Sequence, residues 1–366
     1  MASAELPKID LHSPVPRYVQ AKRILAEAIR RGEFPAGSKL PSTSEIGSRV
    51  NVSLITAHKA IQCLVEEGWL RRERGRGTFV RGDFKVSVAA KPRFRIALVL
   101  HPANRLGDFY HGGLMEGLHR AAEECEDIGE LIIRRRSNLE DLPSIDSDGF
   151  LCFHPYHDDF TKLELTAQNR PVVVVGGSLD ETPLHCVDSE NFKGMRTAVR
   201  HLLDMGHERI AIVNGPLNSP NCMHRFQGYV SEMEACGLPV RQELVFNAEM
   251  AATVGPVLDR LGEAMRSRRR PTAVIACGYY LALEVMTLLQ QMDLRIPKDV
   301  SLVGFDDPKS ASLLNPPLTT VRQPLEEMGE RAYRHIVALV NGEVVTPRVE
   351  LLPTTLTVRG STGPAH

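Results

Sequence analysis

The pattern of apolar and polar positions divides the chain into two parts with different periods. Over residues 17–31 apolar side chains recur at helical spacing, with Tyr18, Ala21, Leu25, Ala28 and Ile29 on one face, and Gly32 and Pro35 end the segment. Ser42 then offers a side-chain oxygen to free backbone N–H groups, and Glu45 follows three residues on, so a capping box is predicted to open a helix that runs to about Val50. After Asn51 and Val52, Ser53 caps a longer helix whose buried stripe is Ala57, Ala60, Ile61, Leu64 and Val65. Its other face carries Leu54, His58, Lys59 and Gln62. Gly68 stops that helix. Residues 69–80 then read as two short strands around a tip of Arg74, Gly75, Arg76 and Gly77, whose glycines supply the free φ a tight tip requires.

Beyond Arg93 the pattern changes. Apolar runs at 95–100, 130–135, 149–153, 171–176, 209–215, 273–277 and 300–305 alternate with amphipathic stretches at 111–125, 158–168, 191–205, 222–236, 251–267, 279–292 and 325–341. Continuous aliphatic runs separated by helices predict parallel strands buried on both faces. The expected fold class is therefore α/β: a small winged helix-turn-helix head followed by a two-lobed, doubly wound parallel body. Ligands of such sheets lie at the carboxyl ends of the strands. The domains read as an amino-terminal arm (1–16), the head (17–82), a linker (83–93) and the body (94–362). The body's first lobe takes about 94–190 and 323–343, and its second about 191–322 and 344–362.

Composition adds a charge asymmetry. The formal net charge of the 366 residues is −1, yet residues 1–90 hold 15 Lys and Arg against 9 Asp and Glu, and the remainder holds 29 against 36. A basic head on an acidic body is expected of a nucleic-acid module joined to something else. No segment reaches the ~18 apolar residues of a membrane span, and the amino terminus has no signal-like apolar core, so no membrane and a cytoplasmic location are expected. Seven cysteines are scattered without a Cys-x-x-Cys pair and 13 histidines are unclustered. These read as structural residues, with no metal and no cofactor. A phosphate loop and a nucleophile constellation are likewise not found, so no enzyme is expected.

The residues Pro41-Ser42, Val52-Ser53 and Gly75-Arg76-Gly77-Thr78-Phe79, in this order, resemble the winged helix-turn-helix of GntR-type regulators over residues 16–81. The resemblance implies double-stranded DNA as partner and places Ser42, Thr43, Ser44, Ser53, Leu54, Thr56, His58, Lys59, Arg74, Arg76 and Gly77 at the interface. Where that family carries arginines for DNA, this chain has Ser44, Leu54 and His58. Bidentate arginine to guanine is worth ~1–3 kcal/mol per contact, so the operator is expected to differ, with Leu54 against a thymine methyl.

From about residue 94 to 360 the chain resembles the effector domain of LacI-type repressors, which shares the type I periplasmic-binding-protein fold. The stretches FYHGGLMEGLHRAAEE, CVDSENFKGMRTAVRHLLDMGHERIAIVNGP, RFQGYVSEMEACGL, PTAVIAC, IPKDVSLVGFDD and PPLTTVRQPLEEMG carry it. The resemblance implies a homodimer through this domain, a small sugar-like effector, and effector contacts from Phe109, Tyr110, Arg225, Asp306 and Gln323. Tyr279 replaces the family's carboxylate after PTAVIAC and joins that set. Arg225 paired with Asp306 across the lobes is the structural alternative. A GntR-type head on a LacI-type body is similar in arrangement to arabinose-repressor-like regulators. It implies a ligand-responsive repressor on a palindromic operator. The competing readings are a solute-binding protein, a head that serves only protein contacts, and a regulator whose body only dimerises.

Overall fold

The computed structural model describes residues 6–9, 17–66, 68–73, 76–81, 94–101, 108–124, 130–135, 139–179, 181–248 and 255–366. Arg74, the proposed linker 83–93 and most of the proposed arm lie outside them. The chain divides into two compact units, residues 1–91 and 92–366.

The first unit contains α1 (Arg17–Arg30), α2 (Thr43–Val50), α3 (Leu54–Glu66) and an antiparallel hairpin of β1 (Leu70–Glu73) and β2 (Gly77–Val80). The capping box at α2 forms as expected. The Ser42 hydroxyl accepts from Glu45 N–H at 3.2 Å, and the Glu45 carboxylate accepts from Ser42 N–H at 2.7 Å. Those bonds hold the Glu45 carboxyl below its usual range. The corner between α2 and α3 is tight, since a Cβ on Gly47 would stand 2.9 Å from the Val52 carbonyl oxygen. Asn51 closes α2 in the left-handed region at φ 63°, a conformation its short polar side chain tolerates. Leu25, Ile46, Val50, Ala57, Ile61, Leu64 and Leu70 fill the core beneath. Within the arm, Leu6 and Ile9 are buried and Ile9 N–H donates to the Val50 carbonyl at 3.1 Å, so this piece belongs to the head.

The second unit is two parallel sheets. In chain order its elements are β3 (Arg95–Leu100), α4 (Phe109–Glu124), β4 (Glu130–Arg135), β5 (Gly149–Phe153), α5 (Phe160–Ala167), β6 (Val172–Val175), β7 (His185–Ser189), α6 (Asn191–Asp204), β8 (Ile210–Asn214), α7 (Pro220–Ala235), β9 (Val245–Asn247), α8 (Gly255–Arg266), β10 (Ala273–Ala276), α9 (Tyr279–Gln291), β11 (Ser301–Phe305), β12 (Thr319–Arg322), α10 (Leu325–Val340), β13 (Val349–Leu352) and β14 (Thr355–Thr357). The first sheet runs β13-β7-β6-β5-β3-β4, all parallel. The second runs β14-β12-β11-β10-β8-β9, with only β14 antiparallel. Both faces of each sheet are covered by apolar cores, which is why the central strands β3, β5, β6, β8, β10 and β11 read as largely aliphatic runs.

One expectation is corrected here. Residues 344–362 do not all join the second lobe, because β13 pairs with β7 along Val349–Leu352 in the first sheet and the chain crosses only before β14. The lobes are therefore joined at three places, after β7, after β12 and after β13. The helices flanking these crossings approach closely through glycine. A Cβ on Gly117 in α4 would fall 1.8 Å from the Glu326 oxygen of α10, and one on Gly228 in α7 would fall 2.4 Å from the Phe192 oxygen of α6. Backbone cannot yield there as a flexible side chain can, so glycine is required at both crossings.

Candidate functional site

On the head, the exposed face of α3 presents Leu54, Ile55, His58, Lys59 and Gln62 in a helical row. Its N-terminus is held by Ser53, whose hydroxyl accepts from Thr56 N–H at 3.3 Å and lies 2.8 Å from the Thr56 hydroxyl. Lys59 Nζ sits 4.3 Å above the Tyr18 ring, which steadies the cation without hiding it. In the hairpin, Glu73 binds Arg71 at 2.7 Å and Arg76 at 2.8 Å, while Arg76 stays 77% exposed. Exposed pairs of this kind are worth ~0–1 kcal/mol, so a phosphate can displace the carboxylate. The sequence-predicted residues Ser44, Leu54, His58, Lys59, Arg76 and Gly77 are exposed, Thr43 and Thr56 are half-buried, and Ser42 and Ser53 are committed to caps.

In the body, a cavity of about 310 Å³ lies between the lobes. His101, His154 and Tyr156 line it from the first lobe, and Asn214, Ser219, Cys222, Cys277 and Tyr280 from the second. Half of these stand at the carboxyl end of a strand: His101 after β3, His154 after β5, Asn214 ending β8 and Cys277 after β10. His154 adopts φ 48° and Asp306, after β11, φ 75°. Histidine and aspartate are among the residue types that tolerate left-handed backbone, and both positions directly follow a strand end.

Several buried polar atoms beside this cavity have no protein partner: the Tyr110 hydroxyl, His111 Nε2, Asn214 Oδ1 and Asn221 Oδ1. Tyr110 opens α4, and its ring stands 4.5 Å from that of His154. Burial pushes its hydroxyl well above the usual phenol value, and the Asp188 and Asp306 charges push further. His154 is held down to about 3, first by burial and then by His111 and Arg225, and so is neutral at ordinary pH. The Asn221 amide meets its Nδ1 at 3.2 Å. The set can donate to and accept from a neutral polar ligand while aromatic edges flank it.

The predicted effector residues divide. Arg225 is buried, but its Nε donates to Asn191 Oδ1 at 2.7 Å and a terminal nitrogen to the Cys277 carbonyl at 3.1 Å, with the guanidinium 3.8 Å from the Phe305 ring centre. The Asp306 carboxylate accepts from Gln323, whose other end accepts from the Ser189 hydroxyl at 2.5 Å. An Arg225–Asp306 pair is thus not what these groups form. Phe109 lines a neighbouring depression together with Gln323. Tyr279 is a correction: its ring packs into the second lobe's core and its hydroxyl donates to Ser310 at 2.8 Å, while Tyr280 turns to the cavity. The sequence reading missed His101, His154, Tyr156, Asn214 and Asn221. The strand-end rule was a signal for His101, His154 and Asn214, whereas Asn221 lies inside α7 and Tyr156 beyond the end of β5.

Asp188 ties the first crossing. One carboxylate oxygen accepts from Gly177 N–H and Ser178 N–H, both at 2.9 Å, and the other from Ser189 N–H at 2.7 Å and the Asn191 amide at 3.2 Å. Through Asn191 it reaches Arg225, and through Ser189 it reaches Gln323 and Asp306. One network therefore spans two crossings and the cavity wall.

His154, His185, His201, His207 and His335 are all held below the ordinary imidazole value of 6.5, first by burial in each case. The unfolded chain then takes protons before the folded one, so stability rises with pH; for His154 this holds from about 3 to 6.5. The unfolding temperature is expected to fall between pH 7 and pH 5, with His154→Gln removing part of the slope. A melting temperature that is flat or rises on acidification would contradict this.

Two family models match the chain: "Bacterial regulatory proteins, gntR family" over residues 17–80 and "Periplasmic binding protein-like domain" over residues 199–362. The chain is 26% identical over 344 residues to the arabinose metabolism transcriptional repressor of Halalkalibacterium halodurans, covering 89% of this chain and 90% of that one. It is 30% identical over 281 residues to the HTH-type transcriptional regulator CelR of Thermobifida fusca, covering 73% and 80%. The solved transcriptional regulator CelR–cellobiose complex superimposes with a TM-score of 0.64 at 25% identity, covering 88% of this chain and 100% of that one. Among the described residues no helix is long and apolar enough to cross a membrane.

Proposed function

Because the chain belongs to the transcriptional regulators that carry a LacI-type, periplasmic-binding-protein-like body, here behind a GntR-type head, we propose that it is a cytoplasmic repressor. In this reading it binds a palindromic operator as a homodimer through its body and responds to a sugar or related polyol between the lobes. The observation that carries the ligand reading is the convergence of strand ends from both lobes on one cavity beside four buried, unpartnered polar atoms. Buried polar groups are costly unless hydrogen-bonded, and a polyhydroxylated ligand supplies both donors and acceptors. The arabinose repressor and the cellobiose complex among the relatives support the same chemistry. A ligand that prefers one arrangement of the lobes changes DNA affinity by its differential affinity, typically ~1–3 kcal/mol.

The test is a thermal-shift screen of the full chain against sugars, polyols and sugar acids, because a ligand of the folded state raises apparent stability with concentration. A concentration-dependent rise with one sugar or polyol is expected. The second reading, a body that only dimerises, draws on the internal engagement of Arg225 and Asp306, and a screen without any shift would favour it.

On the head, phosphate contacts supply most of the affinity and make it salt-dependent. Replacing Lys59 or Arg76 with alanine is expected to weaken binding to every duplex and to reduce the slope of log K against log salt by about 1 each. An unchanged slope would remove that residue from the phosphate interface.

A further inference from the structure

Of the large apolar side chains left exposed among the described residues, the head carries only two, and they are neighbours: Leu54 is 59% exposed and Ile55 81%. Both lie in the first turn of α3, where Ser53 fixes the helix start. Every other apolar position of that helix whose environment is described is buried or half-buried, and the exposed row continues with His58, Lys59 and Gln62, all polar. Cations flank the row, with Lys59 on the helix and Arg71, Arg72 and Arg76 exposed on the hairpin. An apolar pair framed by cations fits a surface that is anionic at its rims and carries an apolar group at its floor.

The major groove has that character at one kind of site. Phosphates form its walls, and among the base edges a pyrimidine 5-methyl is the one alkyl group, offering neither a donor nor an acceptor. Leucine and isoleucine have nothing to offer a guanine or adenine edge, and pressing them against one would strip water from its polar atoms without replacement. Neighbours on a helix point ~100° apart, so the two side chains address separate methyls rather than sharing one. Resting on the DNA-binding reading above, we propose that Leu54 and Ile55 specify the operator by contacting pyrimidine 5-methyl groups, with His58 adding the polar contact one turn on. Thymine is the source of that methyl in unmodified DNA, and 5-methylcytosine is the other.

The experiment starts from duplexes selected by the full-length protein out of a random pool. The selected duplex is resynthesised with uracil for thymine at single positions, which deletes the methyl and leaves pairing intact. Affinities are measured at one fixed salt concentration. At one or two positions in each half-site uracil is expected to weaken binding about three- to fivefold per methyl. That penalty is expected to shrink towards none in the Leu54→Ala and Ile55→Ala variants, the coupling a direct contact requires. 5-Methylcytosine opposite guanine at the same positions is expected to bind more tightly than cytosine there. The proposal is overturned if wild-type affinity is unchanged by uracil at every thymine, or if the penalty persists in full in both variants, which would assign it to duplex shape. Failure of any sequence to be enriched would overturn the DNA-binding reading as well, so the two failures are distinguishable.

Discussion

Alanine in place of Asp188 is expected to destabilise the second unit by at least about 3 kcal/mol. The buried carboxylate accepts from the N–H groups of Gly177, Ser178 and Ser189 and from the Asn191 amide. Alanine leaves these donors without an acceptor in a place water does not reach, and each such group costs about 1–3 kcal/mol. Asparagine is expected to do little better, because its amide sets a donor against donors. Urea unfolding of the full chain measures the loss. A change below about 1 kcal/mol for Asp188→Ala would show that the crossing is held by something else.

The largest functional effect is expected at Arg225. Its side chain joins α7 to Asn191 at the first crossing and to the Cys277 carbonyl at the cavity wall. Arg225→Ala removes both of these bonds from the cavity wall and is therefore expected to weaken binding of the responding ligand by ten- to a hundredfold, the range of one or two hydrogen bonds made by a charged group. Affinity for a selected duplex without ligand is expected to stay within a few-fold. Isothermal titration with the ligand and a duplex-binding assay without it separate the two. Equal loss of both would show that Arg225 braces the whole body rather than the cavity wall alone.

The head was legible because its signals are local. Ser42 with Glu45, Ser53 with Thr56, and Gly77 of the hairpin each act within a few residues, so sequence spacing determines them. The central strands were legible for a different reason, since burial on both faces leaves an aliphatic run that no other element imitates. The strands that escaped are short and polar or lie at an edge. His185–Ser189 carries Asp188 beside Ser189 at its end, and Thr319–Arg322, Val349–Leu352 and Thr355–Thr357 owe their state to partners far along the chain. That is also why β13 was given to the wrong lobe. Of the residues that motif resemblance proposes, Tyr110 and Arg225 touch His154 and Cys277 of the cavity lining, whereas Tyr279 lies in the core and Tyr280 lines the cavity, because which of two adjacent tyrosines turns outward is decided by the packing of α9 on its sheet. Asn221 has no signal of its own inside α7, and His154, although it follows a strand end, is a lone histidine with no spacing that ties it to a partner.

The claim on which the account rests is that occupancy of the body governs the head. It is tested most directly by the affinity of the full chain for its selected duplex, at fixed salt, with and without a saturating concentration of the sugar or polyol that raises its melting temperature. The account predicts a change of at least about fivefold. Identical affinities, with the ligand shown to be bound, would contradict it.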